Sequence, residues 1–237
     1  MKVLIEACIA SLEDAIAAAD AGADRLELNQ ALELGGLTPS AALVAQVVEA
    51  VEIPVVVMVR PRAAGFCYSL SERGIILDDA RRFAEMGVEG VACGVLTESR
   101  EIDFKFWGEL IKRTPDLEIV FHRAFDIAGA HEDDFKRLVD MGTARILTSG
   151  GASTAMEGLE KLRTLHKLWP DRDLVLPASG ISPQNAVQHV TESGCRQIHG
   201  SFSCTATDVG EPVAPNTYPK LSGQRIRETR QRLAEGL

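Results

Sequence analysis

The chain has 237 residues, 46% of them hydrophobic, enough to bury a substantial core and within the roughly 200–250 residues over which α/β barrels run as one domain. Its formal charge of −9 excludes a general nucleic-acid or anionic-membrane partner, since both need a basic face. Its five cysteines, Cys8, Cys67, Cys93, Cys195 and Cys204, lack CxxC pairing and suit a reducing compartment, while the N-terminal run is broken by Glu6 and Glu13 and the longest apolar run, IPVVVMV, is far too short for a membrane span.

In chain order, the predicted strands are VLIEAC (3–8), RLELN (25–29), PVVVMVR (54–60), GVAC (90–93), EIVFH (118–122), ARILT (144–148), DLVLP (173–177) and QIHG (197–200). Between them, segments such as SLEDAIAAADAGA, SAALVAQVVEAV, LDDARRFAEMGV and HEDDFKRLVDMG carry apolar residues at helical spacing, several opening on a Ser or Asp cap and closing on Gly. Strands this apolar are buried on both faces and therefore parallel. Eight successive strand–helix units predict an α/β fold, a single-domain (β/α)8 TIM barrel with residues 1–204 as its core. An open doubly wound sheet is the runner-up, without the G-x-G-x-x-G fingerprint of its dinucleotide-binding form. Residues 205–237 are expected to complete the same domain. Pro212, Pro215 and Pro219 predict an irregular stretch over 205–223, of the kind that forms a lid or an interface arm, before a basic C-terminal helix.

Barrel active sites lie at the C-terminal ends of the strands. Arg25 and Arg145 begin their strands and read as structural ion-pair residues. At the opposite ends, Glu6 with Cys8 and Glu27 with Asn29 share faces, because residues two apart in a strand point the same way. Those acids either pair with arginines inside the barrel or meet a ligand. The stretch VRPR sets Arg60 and Arg62 around a proline as a clamp for a carboxylate or phosphate, and Arg123 joins them. Two glycine turns, LTSGGAS with Ser149 and Gly150 and PASGISPQN with Gly180, read as anion cradles; Ser153 and Ser182 are the expected caps of the following helices. His122, at the exit of IVFHRAFD, is the candidate acid or base, with Glu27 and Asp126 as further catalytic candidates. No HExxH or closely spaced His/Cys pair predicts a tetrahedral zinc site.

The motifs EAC, GADRLELN, GGLTPS, FCYS, VACGVLTE, VFHRAFD, ARILTSGG and SGI…IHGS, in that order over residues 3 to about 201, resemble the CutC family, named for copper homeostasis. The resemblance implies a (β/α)8 barrel, a cytoplasmic location, a homo-oligomer and copper as the metal, with Cu(I) held through cysteines and Cys8 as the retained ligand. The family often ends the second strand E-L-C, where this chain has Asn29, so Cu(I) binding is expected to be weak, with Cys67 and Cys93 as substitute thiols. The family's G-G-D before F-x-Y-S is AAG here, and its Gly-rich turn after the seventh strand is ASG. Two readings stand side by side: a CutC-like copper homeostasis protein, and a TIM-barrel enzyme acting on a small anionic metabolite, with His122 as acid or base and an arginine clamp of Arg60, Arg62 and Arg123.

Overall fold

A computed structural model describes residues 2–209 and 216–237. Eight strands, β1 (Leu4–Ile9), β2 (Arg25–Leu28), β3 (Val55–Met58), β4 (Gly90–Cys93), β5 (Glu118–Phe121), β6 (Arg145–Thr148), β7 (Val175–Pro177) and β8 (Gln197–Gly200), form one parallel sheet in the order β7-β6-β5-β4-β3-β2-β1-β8. The sheet curls into a nearly closed (β/α)8 barrel. At the seam between β7 and β8 a side chain takes over from the strand ladder. The Gln197 amide donates to the carbonyls of Asp173 (2.6 Å) and Val175 (3.1 Å), and its oxygen accepts from Arg25 Nη2 (3.0 Å).

The outer layer comprises α1 (Leu12–Asp20), α2 (Ala41–Ala50), α3 (Leu70–Glu85), α4 (Phe104–Arg113), the one-turn α5 (Ala124–Ile127), α6 (Glu132–Asp140), α7 (Leu159–Leu168), α8 (Ala186–Ser193) and α9 (Gly223–Gly236). Their starts follow from local chemistry. Ser11, Ser40 and Asp103 accept from main-chain N–H groups two or three residues into α1, α2 and α4, and Ser69 with Glu72 makes a reciprocal capping box at α3. Two expected caps are not realised. Helix α7 begins at Leu159, six residues after Ser153, and Ser153 offers only its carbonyl, to the Ser179 hydroxyl. Before α8, the Asn185 side chain accepts from the Ser182 N–H, so the roles are reversed.

The stretch after the barrel also differs from expectation. Ser203–Thr207 (β9) and Thr217–Leu221 (β10) form an antiparallel hairpin in which Pro219 faces Thr205. A two-stranded ribbon is all edge, and a proline is tolerated there because its missing N–H need not serve a second neighbour. Pro212 and Pro215 lie outside the described residues. Helix α9 then packs against α8 and α1: Arg230 reaches the barrel's lower edge, donating to the carbonyls of Val3 (2.8 Å) and Gly22 (2.7 Å) and pairing with Asp24, while Ile226 and Leu233 are buried.

Strand alternation sorts the core into two layers. Outward residues such as Ile5, Leu26, Val57, Val91, Phe121 and Ile146 join the helices in one apolar cluster. The inward residues are divided around the barrel. On β3 to β7 and just beyond they are mainly apolar, Val56, Met58, Ala92, Val120, Leu147, Leu176 and Ala178, with Arg145 paired to Glu118 where β6 and β5 begin. On β8, β1 and β2 they are polar, because register sets Glu6 beside both His199 and Arg25, and Cys8 beside Glu27. A barrel interior filled by one apolar arc and one polar arc is the frame on which the site is built.

Candidate functional site at the barrel mouth

The C-terminal strand ends open into a cavity of about 530 Å³ whose lining includes Cys8, Glu27, Asn29, Arg60, Phe66, His122, Arg123, Gly180 and His199. Its floor on the polar arc is a linked set. Arg25, from the bottom of β2, pairs with Glu6 within the barrel. The other oxygen of Glu6 lies 2.7 Å from His199 Nδ1, and His199 Nε2 lies 3.8 Å from Glu27 Oε2. Asn29 Nδ2 completes the group, donating to Glu27 Oε2 (2.8 Å) and approaching Cys8 Sγ at 3.4 Å. Cys8, Glu27 and His199 each place a ligating atom within 4.8 Å of the other two.

These contacts set the charges. Burial opposes ionisation of Glu6, but Arg25 and His199 outweigh it and hold its carboxyl well below the usual range. Burial also disfavours charge on His199, yet the carboxylates of Glu27 and Glu6 raise it above its ordinary value. Glu27 is pushed up by burial and by Glu6, against the pull of His199. Cys8 is driven well above the ordinary thiol range by burial and by Glu27 beside it. Without a cation, then, the floor holds a neutral thiol.

The opposite side of the mouth has a different character. Arg60 is buried and donates from Nη1 to the carbonyls of Leu34 (3.2 Å), Gly35 (3.0 Å) and Gly36 (3.0 Å) and from Nη2 to that of Ala64 (2.8 Å). It therefore pins the GGLTPS loop to the end of β3. That loop closes over Asn29 only because Gly36 has φ of +81°, where an added Cβ would fall 2.3 Å from Asn29 Oδ1. His122 is 3% exposed, and its Nδ1 accepts the Ala124 N–H at 3.2 Å. Burial, then the Arg60 charge, lower its pKa to about 3, so the ring is neutral at physiological pH. Such a ring donates hydrogen bonds and is a feeble base.

Of the other candidates, Arg62 lies outside the cavity lining, paired with Glu72 and bonded to the carbonyls of Ala63, Gly65 and Cys67. The LTSGG turn reaches its carboxylate within the chain: Asp126 accepts from the N–H groups of Ser149 (3.1 Å) and Gly151 (3.0 Å) and from the Thr148 and Ser149 hydroxyls. Gly150 N–H goes to Thr148 Oγ1 (2.9 Å), and Arg123 bridges Asp126 (2.9 Å) and Ser149 Oγ (3.0 Å). An incoming anion would find those donors engaged. Gly180 does line the cavity, in a turn where Gly180 and Ser179 have φ of +75° and +81°. Cys93 faces the helices and is raised to about 12 by burial, and exposed Cys67 is outside the lining, so Cys8 is the thiol at the mouth. The reading from single segments missed His199 as a partner of Glu6 and Glu27. The signal was present in QIHG, whose Gln and His share a face, but only the register of β8 on β1 brings it beside EAC.

The chain is thus a (β/α)8 barrel with a thiol, an imidazole and a carboxylate, a group that could hold a metal ion, converging at its mouth. The family model for the CutC family matches residues 3–204, and this chain belongs to the CutC family. It is 41% identical to a CutC family protein of Treponema denticola over 92% of this chain and 88% of that one, and 37% identical to one of Pasteurella multocida over 82% and 80%. A crystal structure of CutC from Streptococcus agalactiae, described as a candidate copper homeostasis protein, superposes with a TM-score of 0.79 at 29% identity, covering 84% of this chain and 98% of that one. Thiamine phosphate pyrophosphorylase of Pyrococcus furiosus, at 15% identity and a TM-score of 0.61, shares the fold alone. Among the described residues no helix is long and apolar enough to cross a membrane.

Proposed function

We propose that this chain is a copper homeostasis protein that takes Cu(I) as cargo at Cys8 and His199, with Glu27 alongside. One observation carries the reading: three potential ligand atoms lie within 4.8 Å of one another at the end of the polar arc. The donor set fits a soft monovalent ion in part, through one thiol and one imidazole. The surroundings fit as well. Glu6 sits on Nδ1 of His199, the arrangement that orients a histidine so that its other nitrogen can bind a metal. A family cysteine at position 29 would supply a second thiolate, and the amide of Asn29 cannot replace it, so affinity is expected to be modest. The cation has to displace protons from Cys8 and His199, both held above their ordinary values, so binding strengthens as pH rises. Five unpaired cysteines support a reducing, cytoplasmic setting. The alternative enzyme reading has less support, since His122 is held neutral and Arg62 and the LTSGG turn are committed elsewhere.

Anaerobic competition against a Cu(I) chelator tests the proposal. One ion per chain is expected, with affinity falling sharply in Cys8→Ser and about 10–100-fold in Glu6→Gln, which leaves the donors in place but removes the charge behind His199. Affinity unchanged by Cys8→Ser overturns the assignment.

A further inference from the structure

The other side of the mouth carries an unmet demand of opposite sign. Arg60 is 7% exposed, and its partners among the described residues are four main-chain carbonyls and no carboxylate. Carbonyl dipoles satisfy its hydrogens but do not neutralise its charge, and a buried cation without a counter-charge is costly. Its Nε has no partner among the described residues. Beside it, His122 accepts a hydrogen bond at Nδ1 from the Ala124 N–H, which fixes the ring proton on Nε2, and that donor too is buried without a partner among the described residues. Native proteins rarely leave buried donors unused. Here two lie in side chains that line one cavity, and one of them is charged.

From this we infer that the mouth binds a small organic oxyanion, a carboxylate or phosphate ester, with its charged end on Arg60 and His122. The half-buried Phe66 ring lies against both side chains, 5.0 Å from the Arg60 guanidinium carbon and 4.7 Å from the His122 ring centre. Phe66 also lines the cavity, so it is a surface on which a ligand beside Arg60 and His122 can stack. A cavity of about 530 Å³ far exceeds the space of one inorganic ion, and Met58, Leu147 and Ala178 give the remainder an apolar wall for the ligand's carbon body. The acid floor at Glu27 repels the anionic end and so orients the molecule. A neutral histidine suits this task better than a protonated one that titrates, because its donor persists at any physiological pH.

The experiment uses metal-free protein, so that its outcome is independent of the copper assignment. Inorganic phosphate and malonate are titrated separately, with sodium chloride as the control, while the ring nitrogens of 15N-histidine-labelled protein are followed by NMR and affinity is measured by calorimetry. At least one probe is expected to shift His122 Nε2 saturably, and His122→Phe is expected to weaken binding about tenfold, the size of one hydrogen bond to a charged group. Phosphate alone succeeding identifies a phosphate ester as the ligand class; malonate alone identifies a carboxylate. Arg60→Gln is a poorer probe because Arg60 also pins the 34–36 loop. Absence of a saturable His122 shift with either probe, an equal response to chloride, or unchanged affinity in His122→Phe overturns the inference.

Discussion

The neutral state of His122 makes stability depend on pH in a way that one substitution isolates. Its pKa falls from 6.5 to about 3 on folding, mainly through burial. Between those values the unfolded chain binds a proton that the native protein excludes, so acid favours unfolding. The contribution is complete above pH 6.5 and is lost as pH falls toward 3. For a single group with these values, lowering the pH from 8 to 5 removes roughly 2 kcal/mol of stability. His122→Gln keeps an acceptor for the Ala124 N–H but cannot titrate. Other shifted groups, such as Glu6 and Glu27, remain in both proteins and cancel in the difference. Wild type should therefore lose roughly 2 kcal/mol more than the variant between pH 8 and pH 5, a differential melting shift of about 4–8 °C for a chain of this size. Thermal and urea unfolding of the two proteins at both pH values measure it. Equal losses in both, or a His122 ring that titrates near 6.5 by NMR, refute the burial argument.

Three further outcomes follow from named contacts. Asp126→Ala strands the N–H groups of Ser149 and Gly151 and frees Arg123, so it should destabilise by roughly 2–4 kcal/mol and speed amide exchange in the LTSGG turn; a change under about 0.5 kcal/mol would show that the turn holds itself. Gln197→Ala removes the side chain that spans the β7–β8 seam and should cost roughly 1–3 kcal/mol, with exchange rising first in β7 and β8 and not elsewhere. In native protein a thiol reagent should modify Cys67 and Cys204 first and leave buried Cys93 and Cys195 unlabelled until unfolding, as peptide mass mapping will show.

The eight strands were legible because a parallel barrel strand is buried on both faces and announces itself as a short apolar run. Alternation within a strand was legible for the same local reason, so Glu6 with Cys8 and Glu27 with Asn29 fell on the right faces. The pairings between segments distant in sequence were not legible. Nothing in LTSGG says that its donors belong to Asp126, 23 residues away from Ser149, and nothing in VRPR says that Arg60 spends its hydrogens on the carbonyls of Leu34, Gly35 and Gly36. Arginines and glycine turns are equally good for binding a ligand and for binding the chain itself, and sequence cannot choose between the two. The pairing of Ser203–Thr207 with Thr217–Leu221 was missed because Pro219 breaks a central strand but not an exposed ribbon.

Arg25, read at first as structural alone, shows why the two functional readings need not exclude each other. Arginines within the barrel repel cations only if they are unpaired. Arg25 is neutralised by Glu6, and that same pairing orients His199, so the polar arc of β8, β1 and β2 presents an acid face suited to a cation. Arg60 lacks such a partner among the described residues, and its charge adds to burial in depressing His122. The floor between Cys8 and Glu27 and the wall between Arg60 and His122 thus take opposite charges within one cavity. A small molecule bearing an oxyanion at one end and a soft donor at the other would match both, and the separate metal and anion titrations show whether each half acts alone before any such molecule is sought.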